Sequence, residues 1–237
     1  MPMIVTVLVL GASTLALQAA KQTRRPLAEL RTTEQRLDRI EQALRAYVLI
    51  HQELPCAADG TLDIGLADPI SGACNTPGGT VPWATLGLQK DDALDAWSRK
   101  ISYRIFAGNT PLPPVPPGLQ VNDSGSSEAD LAWVLISHGP TGYGAWLLKG
   151  NSTFPAQRMP LPSGVAVPPF DPDEHSNTQS DPIATIFVKK PFNTVDLLPT
   201  QVAFFDDVVR YKTLKKLAAE TGLPGIDPTT GPPPPPP

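Results

Sequence analysis

Basic residues are not in excess: 19 Lys and Arg stand against 23 Asp and Glu, a formal net charge of -4. A phosphate backbone needs a clustered basic surface, so a nucleic-acid partner is excluded. Cysteine is scarce, with only Cys56 and Cys74 and no Cys-x-x-Cys spacing, and the 3 histidines form no cluster. That argues against a zinc site. No glycine-rich phosphate loop precedes a helix, no metalloprotease His pair occurs, and no Cys/His dyad is present. Charge is absent altogether from residues 3–20.

What the chain has in plenty is proline, 29 of 237 residues. Proline fixes φ and lacks a backbone donor, so much of the second half must be loop, turn or polyproline. A length of 237 residues fits one domain with appendages or two small ones. The uncharged stretch is about as long as a helix needs to be to cross a bilayer core of about 30 Å. It is read as a transmembrane anchor rather than a signal peptide, because it has no basic n-region and a poor cleavage site near Gln18-Ala19-Ala20. Lys21, Arg24 and Arg25 follow directly, and the positive-inside rule alone would keep the rest of the chain cytoplasmic. The cysteines point the other way. In an oxidising compartment Cys56 and Cys74 form one disulfide across a Gly/Pro/Asp-rich loop; otherwise they are unrelated thiols.

Beyond Pro26, which is expected to kink or interrupt it, the helix continues. Residues 32–52 contain no Gly or Pro, and Leu30, Thr33, Leu37, Ile40, Leu44 and Tyr47 recur at spacings of three and four. That is one apolar stripe for packing on a sheet. Glu41 and Arg45 are spaced as a favourable i,i+4 pair. Leu54-Pro55 ends the helix. Strands are expected at residues 100–106, 131–137 and 183–188, with Ala145-Trp-Leu-Leu as the hairpin partner of the second. Residues 154–181 read as an exposed loop, residues 201–220 as a C-terminal helix stopped by Gly222, and Gly231 with the six final prolines as a low-complexity tail. The expected fold is α+β: a long N-terminal helix, half membrane span and half amphipathic, on a small antiparallel sheet with Pro-rich loops and a C-terminal helix. The organisation expected is a span over residues 1–22, an amphipathic helix over 23–53, a head domain over 54–224 and a disordered tail over 225–237.

Candidate chemistry is sparse. Ser137-His138-Gly139 departs from the Gly-x-Ser-x-Gly nucleophile elbow, and adjacent strand residues point to opposite sides. A tight turn accounts for it better than catalysis does. Asp171, Asp173, Glu174 and His175, and also Asp91, Asp92 and Asp95, are short acidic runs that are more often solvated than metal-binding. Asp59-Gly-Thr-Leu-Asp63 lacks the later bidentate Glu of an EF-hand.

A set of motifs, in order, resembles the type II secretion pseudopilins and type IV pilin-like proteins. Asp95-Ala-Trp97-Ser98-Arg-Lys-Ile-Ser-Tyr103 resembles their Asp-x-Trp-Gly-x-x-x-x-Tyr segment, with Ser98 in place of Gly. Leu54-Pro55-Cys56 is similar to the helix exit of pilin-like proteins with a nearby disulfide. Ser137-His138-Gly139-Pro-Thr-Gly142 resembles their Ser-x-Gly-x-x-Gly turn, and Phe205-Asp206-Asp207-Val-Val resembles a Phe-Asp-Asp-Ile-Val segment near the C-terminus of a subgroup. The chain lacks the Gly-Phe-Thr-Leu-x-Glu prepilin signal, so the expectation is either a start farther upstream or a member that is not processed. The resemblance implies a non-enzymatic subunit of a type II secretion or type IV pilus assembly. It implies single-pass residence in the bacterial inner membrane, a periplasmic head, no cofactor and no metal. The implied partners are other pilin-like subunits and inner-membrane assembly proteins. Asp95, Trp97, Tyr103, Gly139 and Gly142 would be structural, and Gly11, Ala12 and Ala16 would let helices approach closely. The alternatives are a membrane-anchored periplasmic binding or sensing domain and an anchored hydrolase using Ser137 or the acidic loop.

Overall fold

The computed structural model describes residues 3–69, 74, 78–105, 118–148, 157–160, 172–178, 185–194 and 204–222, with side chains of the first helix from Pro26 on. Helix α1 (Met3–His51) holds Pro26 within it rather than ending there. From Thr33 to Val48 its buried positions are Thr33, Leu37, Ile40, Leu44 and Val48, a stripe three to four residues apart. Charged residues such as Arg31, Asp38, Arg39 and Arg45 lie on the exposed side. The helix ends with Gln52 in the left-handed region at φ 58, where the Gln52 N–H donates to Val48 O at 2.9 Å. The Gln52 side-chain amide also reaches Val48 O and Leu49 O, so this residue caps the carbonyls that the last turn leaves open.

The sheet has six strands: β1 (Gly78–Thr80), β2 (Ser102–Arg104), β3 (Leu119–Asp123), β4 (Ser126–Ser137), β5 (Ile186–Lys189) and β6 (Val208–Thr213). The order is β1-β2-β4-β3-β5, with β6 on β4. All pairings are antiparallel except β3 with β5, which is parallel. The long strand β4 is central. Trp133 and Leu135 point into the cluster that holds Leu37, Ile40, Leu44 and Val48 of α1. Val134 and Ile136 point into a second cluster with Leu119, Val121, Phe187 and Val209. A strand buried on both faces is apolar continuously rather than alternately, which is why residues 131–137 read as an uninterrupted run. Two short helices complete the order: α2 (Pro172–Asn177) and α3 (Leu214–Thr221), the latter capped by Thr213 Oγ1, which accepts from Lys216 N, and stopped by Gly222 at φ 65.

Several expectations are corrected. Among the described residues no helix is long and apolar enough to cross a membrane. Residues 26–51 of α1 carry charge along the exposed side, so the fold built on a transmembrane span is set aside, and with it the single-pass placement. The sheet is larger than expected and mixed. Residues 201–220 are not one helix. Val208–Thr213 form β6, because Val208, Val209, Tyr211 and Thr213 suit a pleated surface and pair with the core strand; among the described residues from 204 on, the helix is the 8-residue α3, Leu214–Thr221. Trp146 is not in a hairpin with β4; it bridges to Lys100 and Arg158. Arg45 pairs with Glu220 at 3.9 Å rather than with Glu41. The stretch 154–181 contains α2, whose Glu174 and Asn177 are buried. The Pro-rich stretch 111–117 and the terminal tail lie outside the described residues. The Cys56–Cys74 disulfide is present, with a sequence separation of 18.

Leu44 is fully buried and Leu49, one turn on, is 49% exposed. Leu44→Ala should therefore cost about 2–5 kcal/mol and Leu49→Ala less than about 0.5 kcal/mol, read as shifts in the urea midpoint at unchanged slope.

Candidate functional site

The sequence-derived residues converge where α1 meets the 90–99 turn. The Asp95 carboxylate is 1% exposed. Its Oδ1 accepts from Trp97 N at 3.0 Å and Arg99 N at 2.9 Å, which folds residues 95–99 into a tight turn. Ser98 sits in the middle of that turn at φ 62, a left-handed conformation that favours glycine. Oδ2 accepts from Ser137 Oγ at 2.9 Å, so the carboxylate also ties the turn to the end of β4. Burial raises the Asp95 pKa, against hydrogen bonds from Arg99 and Ser137 that lower it.

Helix α1 grips the same turn from the other side. Arg36 donates to Leu94 O at 3.0 Å and Asp95 O at 2.9 Å. Ala96 N donates to Thr33 Oγ1 at 3.1 Å, which explains why a threonine stands in the buried stripe. Trp97 donates from Nε1 to Glu29 Oε2 at 3.1 Å and stacks on Phe192 at 6.3 Å between ring centroids. Trp97 is half-buried, and its ring lies along the helix rather than in the core. Tyr103 is fully buried on β2, its hydroxyl donating to Pro55 O at 3.1 Å beside the disulfide.

The turn after β4 completes the arrangement. Arg99 donates to the carbonyls of Gly139, Pro140 and Thr141. Gly139 and Gly142 have φ of 51 and 71. A Cβ on Gly139 would lie 2.1 Å from the backbone Asp206 O, and one on Gly142 would lie 2.1 Å from the Arg99 side-chain Nε, so torsion demands glycine at both and close backbone approach demands it at Gly139. Asp206 accepts from Thr141 N at 2.7 Å and Thr141 Oγ1 at 3.1 Å, linking the turn to the residues before β6. Glu174 of α2 accepts from Asp206 N at 2.6 Å.

Beneath this turn, Ser102, His138 and Asp207 stand in the hydroxyl–imidazole–carboxylate order of a hydrolase relay. Ser102 Oγ is 3.1 Å from His138 Nε2, and His138 Nδ1 is 3.5 Å from Asp207 Oδ1. Their exposures are 0%, 1% and 4%, and Ser102 lies in β2, which is paired with β1 and β4 on its two sides. A nucleophile must reach its substrate, and this one is sealed inside the sheet. Ser137 turns the opposite way, toward Asp95. A cavity elsewhere, lined by Leu62, Trp83, Lys90 and Lys100 among others, has room for about one water molecule. Among the described residues no group of three or more His, Cys, Asp or Glu side chains is arranged to hold a metal ion.

The other singled-out residues lie apart from this clasp. Asp92 pairs with Arg39 at 2.6 Å. Asp59 Oδ1 accepts from Thr61 N and Thr61 Oγ1, and Lys100 Nζ donates to Gly60 O and Leu62 O in the same loop. An ammonium therefore already fills the carbonyl cage of that acidic loop. Asp173 pairs with Lys190. Asp171 lies outside the described residues, as do the side chains of Gly11, Ala12 and Ala16. Ser102, Thr141 and Arg99 escaped the sequence reading. The signal for Asp206 and Asp207 was available: two acids set between Phe204-Phe205 and Val208-Val209 belong to a buried segment. No family model, curated protein or solved structure matches the chain.

Replacing Asp95 with Ala orphans three donors at once, whereas replacing Ser137 with Ala removes one donor from an acceptor that keeps two others. Asp95→Ala should cost about 3 kcal/mol or more and Ser137→Ala about 1 kcal/mol, both from denaturant unfolding.

Proposed function

We propose that the chain is a non-enzymatic, pilin-like subunit that acts by assembling with other pilin-like subunits of a type II secretion or type IV pilus machine. The observation that carries this reading is the Asp95–Trp97–Ser98 clasp between a long N-terminal helix and the sheet. Ser98 occupies the left-handed position where the pseudopilin segment places Gly, and Gly139 and Gly142 hold the positive φ values that a Ser-x-Gly-x-x-Gly turn needs. The fixed angle between α1 and the sheet is what an assembly subunit requires, because every copy must present its helix and its head in one relative orientation. The disulfide supports an oxidising compartment, which for such a subunit is the periplasm. Burial of Ser102, His138 and Asp207 favours a structural over a hydrolytic use of those side chains.

The test uses the full chain produced in a bacterium that carries such a machine. Affinity recovery followed by mass spectrometry should return other pilin-like subunits. Gly11→Leu, at a position where small residues would let helices approach closely, should reduce that recovery several-fold while leaving the thermal midpoint of the domain unchanged. Recovery of no pilin-like subunit, or undiminished recovery with Gly11→Leu and also Ala12→Leu, would sink the assembly reading.

A further inference from the structure

Helix α2 packs against β5 and the turn that follows β4. A Cβ on Gly144 would sit 2.7 Å from Thr178 Cα, so the end of α2 packs directly on the His138–Gly144 turn. The Asp173–Lys190 ion pair and two buried side chains, Asn177 and Glu174, hold it. Asn177, fully buried, exchanges hydrogen bonds with the backbone of Val188, its Nδ2 donating to Val188 O at 2.8 Å and its Oδ1 accepting from Val188 N at 2.9 Å. Glu174, 3% exposed, accepts from Asp206 N and shares a side-chain hydrogen bond with the Asp206 carboxyl.

The Glu174 contact is electrostatically awkward. Asp206 and Asp207, 1% and 4% exposed, face Glu174 from the segment before β6. The Asp206 oxygens are already engaged by Thr141. Asp207 Oδ2 and His138 Nδ1 have no hydrogen-bond partner among the described residues, though both are buried. The cations nearby are committed elsewhere: Lys190 to Asp173, Lys189 to Asp123, and Arg99 to the carbonyls of Gly139, Pro140 and Thr141. On α2 itself, Asp173 and His175 are the remaining titratable groups. Glu174, Asp206 and Asp207 are buried close together and disfavour one another's charged forms, and a shared proton satisfies the Glu174–Asp206 contact directly.

The geometry points to a proton-operated latch: a neutral Glu174 carboxyl keeps α2 seated on residues 204–207 and the His138–Gly144 turn, and loss of that proton releases α2. Burial, reinforced by the charges of Asp206 and Asp207, pushes Glu174 up to about 10. A raised carboxyl contributes stability that is complete below its unfolded value of 4.5 and is lost as pH rises toward the folded value, so the latch opens in the alkaline direction.

Limited proteolysis by a protease active from about pH 6 to about pH 10, read as cleavage within residues 172–178, tests this on the full chain. Cleavage follows the open population, so the wild-type rate divided by that of Glu174→Gln should climb with pH, by at most about tenfold per pH unit. Asn177→Ala should raise cleavage at every pH. A flat ratio would overturn the latch. Should Glu174→Gln fail to fold, the wild-type carboxyl resonance of Glu174 decides: titration above neutrality supports the latch, and titration in the ordinary carboxylate range with α2 still protected overturns it.

Discussion

A carboxylate taken out of water must recover from the protein the hydrogen bonds that it gave up, and where it recovers them decides which elements are held together. Asp95 recovers its bonds from three groups on two elements: the N–H groups of Trp97 and Arg99 in its own turn and the hydroxyl of Ser137 at the end of β4. The turn so formed presents the carbonyls of Leu94 and Asp95 to Arg36 and the N–H of Ala96 to Thr33, and thereby fixes the rotation of α1 about its axis. Apolar burial alone would leave that rotation loosely specified, since Leu37, Ile40 and Leu44 are similar in size and shape. The polar bonds choose among nearly equivalent packings.

The same turn passes the constraint onward. Arg99 leaves the Asp95 turn and takes three carbonyls of the 139–141 segment, and Thr141 then takes both oxygens of Asp206. Each link satisfies a backbone group that has no strand or helix partner, so the irregular parts of the chain meet the accounting that regular ladders meet by themselves. The consequence is an unusual density of buried acid at one end of the sheet. Asp95 escapes difficulty because all its donors are in place. Glu174, Asp206 and Asp207 are less well supplied, and the proton retained on Glu174 offsets the deficit.

What could be read in the sequence follows from whether the signal was local. The α1 stripe was legible because a single face is buried and period 3.6 survives in the residue order. The core strand β4 was legible as an unbroken apolar run, and the disulfide from two isolated cysteines flanking one loop. The β3–β4 hairpin was missed although Asn122-Asp-Ser-Gly125 carries its turn chemistry: Ser124 and Gly125 both have positive φ, as a two-residue hairpin requires. Strand β6 was misread because Phe204 to Glu220 contains no helix breaker, while the choice of strand was made by β4 in another part of the chain. Helix α2 was invisible for a different reason. Its sequence, Pro-Asp-Glu-His-Ser-Asn, looks solvated, and Glu174 and Asn177 are buried only because Asp206 N and Val188 await them 32 and 11 residues away. The span expected from residues 3–20 rested on composition alone, and among the described residues no helix meets the length and apolarity that a crossing needs.

The relay of Ser102, His138 and Asp207 shows why residue types in hydrolase order do not suffice for a catalytic reading. A working relay needs its imidazole oriented by a firm bond to the carboxylate, its hydroxyl at a surface, and donors aimed at the oxyanion. Here the His138–Asp207 separation is 3.5 Å with Nδ1 unbonded, the hydroxyl is interior, and the neighbouring Gly139 and Gly142 spend their close approaches on Asp206 and Arg99. In the described structure these side chains are engaged in packing. Among the described residues the network that joins α1, the sheet and α2 fixes their relative positions, which is what the proposed assembly role would ask of it.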